Sequence, residues 1–224
     1  MKRLKNRFVL LLLSCLIGSL ASAQNIIYVN AIAAGANNGT SWADAFKGLQ
    51  DAIDVANPGD ELWVASGTYR PRKDLNGIIS PNSRLNTFHF YKDLSIYGGF
   101  QGTETALNQR VCNPASPTIL SGDLGTPGDV SDNTFHVCYS EFLTSAFLIE
   151  CVTIEAGNGA NGISSFNGGG WYNDGSGGTS NPTFRQCIFK SNAGTRGGAI
   201  YNNGTNGGDA SPQITDCEFQ NNAA

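Results

Sequence analysis

Basic residues are scarce in this sequence, and most of its charge is negative. Four of its 14 Lys and Arg residues lie within the first 23 positions, which leaves 10 basic against 18 acidic residues in the remainder. Arg70, Arg72 and Lys73 form the only local basic group, and Pro71 within it favours a solvated loop. Phosphate binding requires clustered positive charge. The composition therefore argues against nucleic acid or anionic lipid as a partner.

Long apolar runs are also absent, except for residues 8–20 at the N-terminus. Four basic residues precede this run, and Ala-Ser-Ala at 21–23 follows it. This order predicts a signal peptide over residues 1–23, cleaved before Gln24, because the apolar run is shorter than the ~20 residues that a spanning helix needs. A lipoprotein cleavage site at Cys15 is the alternative. We expect a secreted protein, extracellular or on the outer-membrane surface, whose mature chain has no transmembrane segment.

One short pattern occurs twice near the C-terminus. Residues 181–192 and 211–222 repeat the same spacing of proline, cysteine, phenylalanine and asparagine, and Gly-rich segments from Gly168 and Gly197 precede them. A fixed period of this length is typical of a solenoid, in which each unit buries its apolar face only by stacking on its neighbours. Each unit carries two aromatic or β-branched runs between turn formers, which predict two strands.

Stacking of such units predicts an all-β chain folded as a parallel β-helix. In that arrangement Cys187 lies over Cys217, Phe189 over Phe219 and Asn173 over Asn202. Residues 151–154 form an earlier unit that adds Cys151 to the same column of small interior residues. Less regular strands are predicted at 61–65, 94–97, 117–120, 135–139 and 147–154.

Two motifs of the repeat resemble a known family. Gly197-Gly198-Ala199-Ile200 and the Phe-x-x-Asn segments at Phe189 and Phe219 are similar to the repeats of chlamydial polymorphic outer-membrane proteins, which are surface-displayed β-helix adhesins. Upstream segments resemble secreted right-handed, pectin-lyase-like β-helix proteins of Bacteroidota; these segments are residues 28–30, 39–42, 59–65, 67–69 and 96–100. The resemblance implies a right-handed β-helix and export, but no particular activity, since this scaffold serves adhesins, lyases and hydrolases alike.

A single amphipathic helix is predicted over residues 41–56. Trp42, Phe46, Leu49, Ile53 and Ala56 recur at spacings of three and four, and Ser41 with Asp44 is typical of a capping box. We expect this helix to protect the first strands of the stack. The predicted organisation is a signal peptide at 1–23, an N-terminal strand and capping helix at 24–60, and a β-helix at 61–224 that is truncated at its C-terminus.

Five cysteines lie beyond the signal peptide, an odd number for an exported protein. Cys112 and Cys138 are a candidate pair for a disulfide that fastens a loop. No Cys-x-x-Cys or zinc-like spacing occurs.

A catalytic site is not evident from the sequence. The only histidines, His89 and His136, lie in strand-like aromatic runs, where a structural role is the more common one. Neither an adjacent Asp-Asp pair nor the Gly-His-Gly and Arg-Ile-Lys segments of the polygalacturonase type is present. Carboxylates paired across a groove stay open as an alternative, because they need not be neighbours in sequence.

Two candidate binding sites remain. Asp123, Asp129 and Asp132 lie in one Gly-rich loop and could supply oxygen ligands to a structural calcium ion, although turn formation explains the same residues. Trp171, Tyr172 and Tyr201 could stack on sugars, although burial explains large aromatic residues as well.

The sequence predicts an adhesin-like or structural scaffold on the cell surface, without an evident catalytic site. Its expected partner is an extracellular polysaccharide or a surface protein of a host or neighbouring cell. The competing function is that of a polysaccharide lyase or glycoside hydrolase of the pectin-lyase-like class. Apart from calcium, no cofactor is indicated.

Overall fold

The computed structural model describes residues 24–160 and 166–224, and the signal peptide predicted at 1–23 lies outside them. Within this part the regular secondary structure is almost entirely β-strand. The one α-helix, α1, spans Leu49–Val55, and a 3₁₀ turn spans Leu107–Gln109. The strands are β1 (Ile26–Val29), β2 (Glu61–Ala65), β3 (Gly67–Tyr69), β4 (Phe88–Phe90), β5 (Ser95–Phe100), β6 (Thr118–Ser121), β7 (Cys138–Glu141), β8 (Leu148–Glu150), β9 (Thr153–Glu155), β10 (Trp171–Asp174), β11 (Thr183–Arg185), β12 (Ile188–Lys190), β13 (Ile200–Asn203), β14 (Gln213–Thr215) and β15 (Glu218–Gln220).

These strands form three sheets, in which every strand pairing is parallel. The first sheet has the order β1-β2-β5-β8-β11-β14, the second β4-β7-β10-β13, and the third β3-β6-β9-β12-β15. Strands are added in chain order in every sheet, and from β7 onward the chain visits the second, first and third sheets in a fixed cycle. The predicted all-β class with parallel strands is confirmed.

Each late unit contains three strands rather than the two that the sequence predicted. The run 184–189 divides into β11 and β12 because Gln186 adopts a left-handed conformation, with φ of 51°. Cys151 and Asp216 have the same conformation directly after β8 and β14. A non-glycine residue in this region costs roughly 1 kcal/mol, so the corner must be held by the strands on either side of it.

Aromatic and aliphatic side chains from all three sheets pack into one buried core. Phe189 and Phe219 are in register, and their rings stack with centroids 5.2 Å apart. Asn173 and Asn202 are also in register, and the Asn173 amide donates a 3.0 Å hydrogen bond to the Asn202 carbonyl oxygen. Both predicted columns are confirmed.

The predicted column of three cysteines is correct for Cys187 and Cys217 and wrong for Cys151. Cys187 lies beside Cys217, whose sulfur accepts a 3.4 Å hydrogen bond from the Cys187 backbone N–H. The register of β9 with β12, however, places Val152 rather than Cys151 beside Cys187. Cys151 instead occupies the left-handed corner and forms a disulfide with Cys112. The predicted pairing of Cys112 with Cys138 is therefore wrong, and Cys138 is a buried free thiol.

The predicted helix is shorter than its sequence pattern. Phe46 pairs with β1 instead, since its N–H donates to Tyr28 O and its C=O accepts from Asn30 N–H. This extended pairing and the extended conformation of Gly48 delay the helix until Leu49. Ser41 and Asp44 do bond to each other, but they close a local turn rather than a helix end. The apolar residues Leu49 and Ile53 are buried as predicted, and α1 packs against β4, β1 and β2.

Candidate binding face

The outward side of the second sheet carries two rows of side chains in register. Alternation along each strand turns Phe88 and Trp171 inward, and it turns their neighbours outward. The first row, which we call the tyrosine ladder, comprises Tyr139, Tyr172 and Tyr201, and it begins at His89. The second row contains Glu141, Asp174 and Asn203. The face therefore combines aromatic rings with carboxylate and amide groups.

The tyrosine rings are evenly spaced along the ladder. The ring centroids of Tyr139 and Tyr172 lie 5.3 Å apart at an interplanar angle of 10°, and those of Tyr172 and Tyr201 also lie 5.3 Å apart. The rings of Tyr139 and Tyr172 are stacked, whereas those of Tyr172 and Tyr201 are tilted by 48°. The ladder is thus a continuous row of half-buried aromatic rings, each of which carries a hydroxyl group.

Asp174 links the two rows. It accepts a 2.6 Å hydrogen bond from the Tyr139 hydroxyl and a 2.9 Å bond from the Asn203 amide. Burial raises the pKa of Tyr139, and the bond to Asp174 raises it further. Burial and the nearby Asp174 charge also raise the pKa of Tyr172. Both hydroxyl groups stay protonated near neutral pH; that of Tyr139 already donates to Asp174.

His89 and Glu141 form a pair at the β4 end of this face. His89 Nε2 lies 3.0 Å from Glu141 Oε1, and the His89 backbone N–H donates to Gln50 Oε1. Helix α1 positions Gln50, whose amide also donates to Asp54. A cleft of about 410 Å³ opens here, and it is lined by Gln50, Asp54, Lys73, His89, Tyr91 and Glu141.

The charge of the face is predominantly negative. Lys73 is neutralised by Asp54 at 2.6 Å and Asp51 at 3.2 Å, and the hydrogen bond to Asp54 raises its pKa. Among the described residues, neither Glu141 nor Asp174 forms an ion pair with Lys or Arg. This arrangement suits ligands rich in hydroxyl groups and disfavours anionic ones.

Only two of the three aromatic residues predicted to contact carbohydrate lie on this face. Trp171 is fully buried, its ring stacks on Phe90, and its indole N–H donates to Ser140 Oγ. Tyr172 and Tyr201 are half-buried members of the ladder. The sequence interpretation missed Tyr139, Glu141 and Asp174. The signal for them was the aromatic-x-polar spacing shared by residues 139–141, 172–174 and 201–203.

The carboxylates of the predicted calcium loop serve its turns. Asp123 accepts from Gly128 N–H, Asp129 from Ser131, and Asp132 from Thr126 N–H. Asp123 also lies 4.0 Å from Arg70. In the part of the chain that the structure describes, no group of three or more His, Cys, Asp or Glu side chains is arranged to hold a metal ion. Calcium binding by Asp123, Asp129 and Asp132 stays a prediction.

Comparison with protein-family models, curated proteins and solved structures finds no match to this chain. The resemblance to β-helix adhesins therefore depends on the sequence motifs alone. Within the described ranges, no helix has the length and apolarity needed to cross a membrane.

Proposed function

We propose that this protein is an exported right-handed parallel β-helix that serves as an adhesin-like scaffold and binds a neutral polysaccharide along the tyrosine ladder. The strand order supports the right-handed β-helix in this proposal. Successive strands belong to the second, first and third sheets in turn, and a coil that adds one strand to each sheet per turn produces that order. Export is supported by the features of residues 1–23.

The observation that carries the binding proposal is the register of Tyr139, Tyr172 and Tyr201 beside Glu141 and Asp174. Parallel strands repeat at about 4.8 Å, so the ladder offers an extended array rather than a single pocket. A polysaccharide chain can contact several steps of this array at once. Because neither carboxylate is paired with Lys or Arg among the described residues, a neutral chain is favoured over an anionic one.

Gel electrophoresis of residues 24–224 through matrices containing neutral or acidic polysaccharides tests this proposal. We expect at least one neutral polysaccharide to retard the protein and acidic ones to retard it less. The reducing ends and unsaturated-product absorbance, followed with and without calcium, should stay at background. Absence of retardation by every polysaccharide would contradict the binding proposal.

Catalysis on a polysaccharide is the second candidate, and a specific arrangement favours it. His89 is paired with Glu141, and Glu141 neighbours Asp174 in the second row at the edge of the cleft. An acid and a base on one face are the minimum for glycoside hydrolysis. If products are released, Glu141→Gln and Asp174→Asn should abolish their formation. Product formation that survives both substitutions would exclude this site.

A further inference from the structure

The tyrosine ladder is closed at its β4 end. β4 is the terminal strand of the second sheet on this side, and α1 packs against it. The Gln50 side chain bonds to the free edge of β4, because its Oε1 accepts from the His89 backbone N–H at 2.8 Å and its Nε2 donates to the His89 carbonyl oxygen at 3.4 Å. The amide thus replaces a neighbouring strand, and the ladder ends at His89.

The cleft of about 410 Å³ lies at this end of the ladder, and we call it the end cleft. A turn that forms its second wall is held by Asp74, whose backbone N–H donates to Ile78 O and whose carboxylate accepts from Ile78 N–H. Residues 74–76 also line a separate cavity of about 170 Å³ beside Phe135 and His136, so the turn lies between the two cavities. A linear chain that follows the ladder into the end cleft meets α1 and must end there.

Two exposed aromatic rings line the end cleft. Tyr91 is 39% exposed and Phe142 is 69% exposed. Phe142 also has a left-handed backbone conformation, with φ of 59°, which is unusual for a bulky side chain and costs free energy. Neither the exposure nor the backbone conformation stabilises the fold. Both place a ring at the rim of the cleft, where it can stack on the apolar face of a sugar.

Hydrogen-bonding groups line the same cleft. Glu141 Oε1 lies 3.0 Å from His89 Nε2, whereas Glu141 Oε2 has no hydrogen bond within the described residues. Lys73 is held by Asp54 at 2.6 Å, so its charge is compensated. The cleft volume is within the range of roughly 300–1,000 Å³ that is typical of small-ligand pockets, which combine apolar walls with a few polar groups. This combination suits an uncharged sugar residue with free hydroxyl groups.

We propose that the end cleft binds the terminal sugar residue of a neutral polysaccharide, an inference that rests on binding along the tyrosine ladder as proposed above. The sugar residues that follow the terminal one lie along the ladder. The protein therefore recognises the ends of polysaccharide chains. The number of ends, rather than the total length of chain, determines how much protein a given mass of polysaccharide binds.

Competition in gel electrophoresis of residues 24–224 tests this proposal. The gel contains an intact neutral polysaccharide, such as a glucan, mannan or xylan, that retards the native chain. The protein is first mixed with the same polysaccharide, either intact or hydrolysed to shorter chains that still cover the ladder. If hydrolysis makes the chains roughly ten-fold shorter, roughly ten-fold less hydrolysed than intact competitor, by mass, should release the protein from the gel matrix.

Phe142→Asn tests the cleft itself, because it removes the ring at the rim. Asparagine tolerates the left-handed conformation, so the fold should be retained. Affinity for the hydrolysed chains should fall roughly ten-fold, since the stacking contact with the terminal sugar is lost. Ile32→Asn is the matched control: it removes an apolar side chain that is 88% exposed and lies outside the cleft, and it should bind as the native protein does.

Three results would overturn the proposal. Equal release by equal masses of intact and hydrolysed competitor would show that the interior of the chain is bound; the proposed function would then stand without a site for chain ends. Unchanged affinity of folded Phe142→Asn for the hydrolysed chains would exclude the end cleft from binding. If no neutral polysaccharide retards the native chain, the proposed function itself is contradicted, and chain-end binding with it.

Discussion

Single side chains in the interior are stabilised mainly by their counterparts in the neighbouring units. Phe189 stacks on Phe219 and meets Phe184 edge to face at 5.5 Å. Asn192 accepts from Gly157 N–H and donates to Ile154 O and Asn222 Oδ1, so its buried amide is satisfied. The contribution of such a residue to stability should therefore depend on whether neighbouring units pack on one side of it or on both.

Phe189→Ala should destabilise the protein far more than Phe219→Ala. Phe189 is fully buried, and its truncation should lower the free energy of unfolding by about 3–5 kcal/mol. Phe219 is half-exposed, so less apolar area is lost. Urea unfolding of both variants measures the difference. Equal losses would contradict the view that burial of the aromatic ring determines the loss.

His136 should make stability depend on pH. Burial lowers the pKa of its imidazole from the usual 6.5, although its Nδ1 lies 3.1 Å from Gly168 O. Below pH 6.5 the unfolded chain therefore binds a proton that the folded chain does not, and stability falls as pH decreases toward the folded pKa. Unfolding measured between pH 7.5 and about 5.5 should show this loss. His136→Gln should reduce the dependence of the unfolding free energy on pH. An unchanged dependence would contradict the assignment of this effect to His136.

At the scale of elements, the sequence predicted which side chains of successive units lie beside one another better than it predicted where the strands end. Phe189, Phe219 and the Asn173–Asn202 pair could be placed because their spacing repeats. Cys151 was misplaced by one residue, since its segment shares a cysteine with the repeat but pairs through Val152. Three strands per unit could not be inferred because the dividing residue, Gln186, carries no turn signature. Of the tyrosine ladder, Tyr172 and Tyr201 were predicted. Tyr139 was missed because it precedes the regular repeats.

The disulfide fastens the segment that connects β5 and β6 to the corner after β8. Cys112 and Cys151 are 39 residues apart, and closing a loop of this length should contribute roughly 4 kcal/mol in the chain-entropy model. Glu150, which lies beside the corner, holds the same segment through an ion pair with Arg110.

Replacing both Cys112 and Cys151 by serine should therefore lower the free energy of unfolding by about 4 kcal/mol. Dithiothreitol should destabilise the native protein by a similar amount and leave the double variant unchanged. If dithiothreitol destabilised the double variant equally, another disulfide would be responsible.

At the scale of the whole molecule, function follows from repetition. Parallel register places equivalent side chains of successive strands directly beside one another, so single tyrosines form a ladder and single carboxylate or amide groups form a row. The buried side chains of the three sheets form one core, and in the proposed function the outer face of the second sheet is the binding surface.

The most direct test of the proposed function uses the Tyr172→Ala variant. Its retardation is measured with the polysaccharide that binds the native chain. Tyr172 contacts both Tyr139 and Tyr201, so its loss divides the ladder. Affinity should fall roughly ten-fold, about 1.4 kcal/mol, while Val130→Ala on an exposed loop outside the ladder should bind as the native protein does. Unchanged affinity in a folded Tyr172→Ala protein would contradict binding along the tyrosine ladder.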